Sequence, residues 1–136
     1  MTILVDTPVW SLAYRRKRLT VTEQAIIDEL GDCVRKNRTV MIGPVRQEVL
    51  SGLTDLRRFE LLRTTLRAYE DLPLVAEDFE LAAVMYNRCR VAGIQGSHID
   101  FMICAISQRY DAPIFTTDGD FKNYAQHLDI ALHKPS

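Results

Sequence analysis

The chain has 136 residues, 47% of them apolar, which supplies one hydrophobic core and is too much for a disordered chain. The formal net charge of −1 gives no whole-chain field to attract nucleic acid. No apolar run approaches the roughly 20 residues that span a bilayer, and the N-terminus lacks the basic and long apolar segments of a secretion signal.

In chain order, TILVD reads as a first strand running straight into Asp6, and Trp10 behind it reads as a packing residue. VTEQAIIDELGDCVRKN follows with apolar residues at helical spacing, and Thr20 and Glu23 are placed for a capping box at its start. RTVMIG is a second strand. PVRQEVLSG is a short helix opened by Pro44 and closed near Gly52. DLRRFELLRTTLRAYEDL is a longer helix with Leu56, Phe59, Leu62, Leu66 and Tyr69 on one side, and LPLVA is a short strand. EDFELAAVMYNRCRVAG and SHIDFMICAISQRYD are two further helices. APIFTT is a strand, DGDFKNYAQHL a short helix and DIALHK a last strand.

Strands separated by helices imply parallel pairing through right-handed crossovers, hence a layered α/β sandwich formed as one domain over residues 1–136. Cys33, Cys89 and Cys104 are scattered, lack any zinc-binding spacing and sit in apolar helical surroundings. They read as reduced core residues suited to a cytoplasmic protein. His98 reads as a surface residue.

Ligand sites in parallel sheets gather at the carboxyl ends of strands. Asp6 closes the first strand, and Asp118 closes APIFTT with Asp120 two residues on. Glu48 lies in the helix after the second strand, beside its buried stripe. Asp100 sits in the first turn of its helix, one turn before Ile103 and Cys104. Each has an ordinary structural explanation on its own: an Asx-turn for Asp6, a helix cap for Asp118, a solvated or paired glutamate for Glu48, and a Ser97–Asp100 capping box. Taken together they suggest one acidic cluster. Oxygen ligands without Cys or His select Mg²⁺ or Mn²⁺, which suits phosphodiester hydrolysis. No phosphate-binding glycine loop, dinucleotide fingerprint or serine nucleophile elbow is present. YRRKR, with Arg15, Arg16, Lys17 and Arg18, is a cationic cluster able to contact a phosphate backbone.

The stretches LVDTPVW, PVRQEVLSG, SHIDFMICAIS and IFTTDGDF resemble, in order and over nearly the whole chain, the successive motifs of PIN-domain ribonucleases. They are especially similar to the VapC-like toxins of bacterial type II toxin–antitoxin pairs. The resemblance implies an α/β/α sandwich around four or five parallel strands. It implies that Asp6, Glu48, Asp100 and Asp118 form the metal-binding set, with Asp120 at a further acidic position. Thr116 matches a hydroxyl residue supporting the first aspartate, and Thr7 the small polar position after it. Many relatives carry Asn where this chain has Pro8. The implied activity is endoribonuclease cleavage dependent on Mg²⁺ or Mn²⁺ that inhibits translation and growth. The implied partners are RNA, a cognate antitoxin and a second copy of the chain. The alternatives are a housekeeping RNA-processing nuclease of the same family, an Asp-nucleophile phosphatase, or a receiver-like module. Pro8 stands where such a phosphatase carries its second aspartate, and TVMIGPV lacks the strand-end aspartate of a receiver.

Overall fold

The computed structural model describes residues 1–15 and 18–135. Its elements are β1 (Ile3–Val5), α1 (Thr7–Arg15), α2 (Val21–Arg35), β2 (Thr39–Val40), α3 (Gly43–Leu50), α4 (Leu56–Leu66), α5 (Ala76–Val91), α6 (His98–Tyr110), β3 (Ile114–Phe115) and α7 (Asp120–Ala125). The sheet is parallel, in the order β2-β1-β3. The helices pack as one group formed by α1, α2, α3 and α4 and a second centred on the α5–α6 pair. With this strand order, the right-handed rule for crossovers between parallel strands puts the two groups on opposite faces of the sheet, the expected α/β/α sandwich.

The sheet has three strands among the described residues, not the expected four or five. The two missing strands are reduced to single parallel bridges, Met41 to Asp71 on one edge and Ile114 to Leu132 on the other. The first of these pairings goes no further because the chain after β2 passes into α3 at Gly43, with Ile42 already the helix N-cap. On the other edge the Ile114 N–H donates to the Ala131 carbonyl, and the His133 N–H donates to the Ile114 carbonyl.

One helix was not anticipated. DTP reads as a turn, yet α1 begins at Thr7. Pro8 falls in the first turn, where a missing N–H costs nothing. Val9, Trp10 and Leu12 are buried, and the Trp10 indole N–H donates to the Val5 carbonyl (3.1 Å). Trp10 therefore fills the packing role expected of it, edge-on to Tyr69 at 4.7 Å. The capping box at α2 forms as expected between Thr20 and Glu23. All three cysteines are free and buried.

The α4 helix stops at Leu66, short of the expected end. Arg46, on α3, accounts for much of this. Its guanidinium donates to the carbonyls of Leu66 (2.9 Å) and Tyr69 (2.6 Å) and forms a forked pair with Asp71. The carbonyls freed at the helix end are thus satisfied by a side chain, and the chain turns so that the Leu72 N–H reaches the Met41 carbonyl. At the amino-terminal end of the sheet, Asp78 is buried and takes a forked pair from Arg109 (2.6 and 2.8 Å), which ties α5 to the end of α6. Neither pair was anticipated from sequence.

Arg46→Ala removes two carbonyl bonds and a charged partner at once. We expect it to lower unfolding stability by about 2–4 kcal/mol in urea denaturation. Arg46→Lys should recover less than half, because a point charge cannot reproduce the fork.

Candidate active site

Asp6 and Asp118 leave β1 and β3 at the same edge of the sheet. The α6 helix runs back against the strands, so its first turn returns Asp100 to that edge. The α3 helix starts from the same side and carries Glu48 on its exposed surface.

Asp6 is 3% exposed. Its backbone is fixed by an N–H bond to the Phe115 carbonyl (2.9 Å), and its own carbonyl accepts from Val9 at the start of α1. Its carboxylate accepts from the Thr7 N–H at Oδ1 (2.8 Å) and from the Thr116 hydroxyl at Oδ2 (2.8 Å). The Thr116 oxygen in turn accepts the Asp118 N–H (3.0 Å), and the Asp118 carboxylate accepts the Asp120 N–H (2.9 Å). A single hydrogen-bond chain thus links the ends of β1 and β3 to the start of α7. Asp118 also directs the chain into α7, its carbonyl accepting the Phe121 N–H. The ordinary explanations change places: Pro8 has no N–H for an Asx-turn at Asp6, which bonds the Thr7 N–H instead, whereas Asp118 bonds the N–H two residues on and Gly119 is the N-cap of α7.

Burial foremost, with the charges of Asp100 and Glu48, raises the Asp6 pKa to about 6 against the opposing pull of its two hydrogen bonds. Burial likewise pushes Asp100 up, with Asp118 adding to the shift. These mutual repulsions place the four carboxylates within one electrostatic neighbourhood. Among the described residues no ion pair involves any of the four. Arg46, the arginine nearest Glu48 in sequence, is committed to Asp71.

The donor set is all oxygen, which fits a hard divalent cation. The Thr7 hydroxyl is buried and has no hydrogen-bond partner, an orphan that a cation-bound water would satisfy. Among the described residues no three of these carboxylates bring their oxygens within 4.8 Å of one another. A divalent cation at this edge would be held by one or two carboxylates directly and by the others through water.

The sequence profile of the PIN domain matches residues 3–126. The chain belongs to the PIN domain family. No curated protein matches the sequence. Among solved structures, the PIN fold here is similar to FitAcB from Neisseria gonorrhoeae (TM-score 0.76, 19% identity, covering 98% of each chain). It is also similar to VapBC2 from Rickettsia felis bound to a promoter DNA fragment (TM-score 0.78, 14% identity, 98% of each chain). A toxin–antitoxin complex from Klebsiella pneumoniae matches with a TM-score of 0.70 at 13% identity, covering 99% of this chain and 98% of that one.

Other expected contacts divide in this PIN domain. Thr116 supports Asp6, whereas Thr7 does so through its N–H rather than its hydroxyl. Asp120 is exposed and contributes its N–H to Asp118. Arg15 is turned to the end of α3, donating to the carbonyls of Val49 and Ser51 (3.3 Å each). Arg18 is exposed, and Arg16 and Lys17 lie outside the described residues. His98 is exposed and stacks on Tyr86 at 5.2 Å.

Tyr124 and Gly96, both at this edge, carry no signal of a role here in the sequence. The fully buried Tyr124 donates its hydroxyl to Asp100 Oδ2 (2.7 Å), while the Ser97 hydroxyl caps the Asp100 N–H (3.1 Å). The Phe121, Tyr124 and Leu128 stripe announces a buried face of α7, but not the reach of one hydroxyl to α6. Gly96 leaves the space for it, since a Cβ there would lie 2.3 Å from the Tyr124 oxygen and 2.9 Å from Phe101.

Gly96→Ala should destabilise the protein by about 1–3 kcal/mol, as overpacking of a filled site does. Tyr124→Phe should relieve part of that loss, which a double-mutant cycle in urea would show as non-additivity. The Asp6 shift carries a second expectation. A carboxyl whose folded pKa lies above its ordinary 3.8 contributes stability fully present below that value and lost as the pH rises through about 6. Asp6→Asn should therefore make the metal-free protein more stable at pH 8 by roughly 2 kcal/mol, with the gain shrinking toward pH 4. An unchanged difference between the two pH values would show that Asp6 is not strained.

Proposed function

We propose that this PIN domain is an endoribonuclease dependent on Mg²⁺ or Mn²⁺ and the toxin of a toxin–antitoxin pair. The observation that carries the reading is Asp6: a carboxylate 3% exposed, repelled by Asp100 and Glu48, with no cationic partner among the described residues. Such a group is tolerable when a cation completes its surroundings.

In this reading Asp6, Asp100 and Asp118 hold the metal, and Glu48 holds a second metal or orients the attacking water. When bound, the metal neutralises the phosphodiester and makes water a better nucleophile. The chain's own residues do the positioning. Thr116 and the Thr7 N–H fix both oxygens of Asp6, Tyr124 fixes one oxygen of Asp100, and the Asp120 N–H fixes Asp118. Attack in line on phosphorus leaves a 5′-phosphate and a 3′-hydroxyl. Arg18 and the neighbouring Arg16 and Lys17 serve as backbone contacts, which position RNA without reading its sequence.

The toxin role draws support from the similar structure from Klebsiella pneumoniae, a toxin–antitoxin complex, at an identity that speaks for fold alone. An apolar groove of about 520 Å³ lies between α5 and the first turns of α6, lined by Phe79, Ala83, Tyr86, His98, Ile99 and Met102. It suits an antitoxin segment, and Phe79 and Val84 leave further apolar surface on α5 for a second copy of the chain. No helix among the described residues is long and apolar enough to cross a membrane. The free thiols suit the reducing cytoplasm we assign to the protein.

Purified protein should cleave RNA with added Mg²⁺ or Mn²⁺ and stop doing so with a chelator. Asp6→Asn and Asp100→Asn should each lower the cleavage rate by at least about 100-fold, with folding intact by circular dichroism. Full activity in both variants would remove the site assignment. Growth arrest on induction without the antitoxin supports the toxin role, whereas unimpeded growth with cleavage retained supports RNA processing.

A further inference from the structure

Glu29, Cys33 and His133 meet away from the acidic edge. Glu29 and Cys33 are four residues apart on one face of α2, and His133 arrives from the segment bridged to β3. Glu29 Oε2 lies 2.6 Å from His133 Nε2. Cys33 Sγ lies 3.9 Å from that oxygen and 4.0 Å from that nitrogen. Among the described residues these are the three donors of the Cys, His and carboxylate types whose ligand atoms all fall within 4.8 Å of one another.

The surroundings are those of a built site. Cys33 is 1% exposed, and the side chains of His133 and Glu29 are 8% and 12% exposed. The His133 ring is held 5.1 Å from the Phe115 ring, and its backbone N–H is fixed on the Ile114 carbonyl. The cluster sits toward the amino-terminal end of the strands. The Cys33 carbonyl accepts from Arg38, whose own carbonyl accepts from Ile3 at the start of β1. It is therefore separate from the edge that carries Asp6.

We propose that Glu29, Cys33 and His133 form a second metal site, for a borderline-soft divalent cation of the Zn²⁺ class, which fastens the segment around Leu132 to α2. Bond lengths of about 2.3 Å to sulfur and 2.0–2.2 Å to nitrogen and oxygen require tetrahedral donor separations of about 3.4–3.6 Å. The two sulfur separations are within about half an ångström of that range, so side-chain adjustment alone closes them. The Glu29–His133 pair opens as the cation takes the place of the proton at His133 Nε2, the imidazole keeping one proton on Nδ1 and any second proton leaving to solvent. The Cys33 thiol proton also leaves to solvent, so the ligands become thiolate, neutral imidazole and carboxylate. Water completes the fourth position. A thiolate and an imidazole disfavour Mg²⁺, so the two sites differ in the metal they select. The bound cation joins a helix to an edge segment that a single bridge otherwise holds.

The test uses the full chain carrying Asp6→Asn and Asp100→Asn, which removes the acidic site from the readout. Calorimetric titration of the metal-free protein with Zn²⁺ should show one equivalent bound, and Co²⁺ should give the intense thiolate charge-transfer band of a tetrahedral site. Cys33→Ser and His133→Asn should each weaken Zn²⁺ binding by more than about 100-fold, beyond the cost of losing an outer-shell partner. Zn²⁺ should also raise the unfolding midpoint of the parent and of neither variant. Zn²⁺ affinity unchanged in Cys33→Ser, or no thiolate band with Co²⁺, overturns the proposal. If either variant fails to fold, the Co²⁺ band of the chain with Cys33 and His133 intact decides. Cys89 and Cys104 are fully buried and lie outside the cluster, so the band reports on Cys33.

Discussion

A carboxylate held out of water at the end of β1 is the constraint around which this edge of the molecule is organised. Desolvating Asp6 is unfavourable, and its neighbours Asp100 and Glu48 add repulsion. What keeps it in place is a hydrogen-bond chain running from the Asp120 N–H through Asp118 and Thr116 to Asp6, with the Thr7 N–H on the other oxygen. Every member of that chain belongs to a strand end or a helix start. The parallel sheet is therefore more than a scaffold: its register brings Thr116 beside Asp6.

A site of this kind costs stability, and the remainder of the fold offsets it. The core is continuous from β1 through the buried face of α6. Two arginine forks fasten the layers, Arg46 joining α3 to the end of α4 and Arg109 joining α6 to the start of α5. Beneath the acids, burial and the charges of Asp100 and Asp6 push the Cys104 thiol pKa far up, so this residue is a neutral floor rather than a nucleophile. Hydroxyls and N–H groups orient the carboxylates without neutralising them. That leaves the negative charge available to a cation.

The order of elements was legible because each carries its own local signal. The capping box at Thr20 and Glu23 is encoded within four residues, and the apolar spacing of α5 and α6 within two turns. Helix α1 was overlooked because Asp6, Thr7 and Pro8 form a turn signal that masks the helical spacing of Val9, Leu12 and Ala13. The end of α4 was misplaced because Arg46, from another element, takes its last carbonyls. The missing edge strands follow the same logic: strand length depends on what lies alongside, and the chain after β2 turns into α3 before a longer pairing can form on that edge.

Asp6, Glu48, Asp100 and Asp118 stand out in the sequence as candidates because parallel strands must end at one edge and helices between them must begin or return there. Topology alone carries that much, and the residue types carry the preference for a hard cation. Which group holds which oxygen was decided only by the tertiary structure. Tyr124 reaching Asp100, Gly96 making room for it, Arg15 turning to α3, and His133 closing on Glu29 and Cys33 all join residues far apart in the chain. Local periodicity tells which face of an element is buried. It does not tell where a hydroxyl, guanidinium or imidazole at the tip of a side chain comes to rest, because packing between elements sets that.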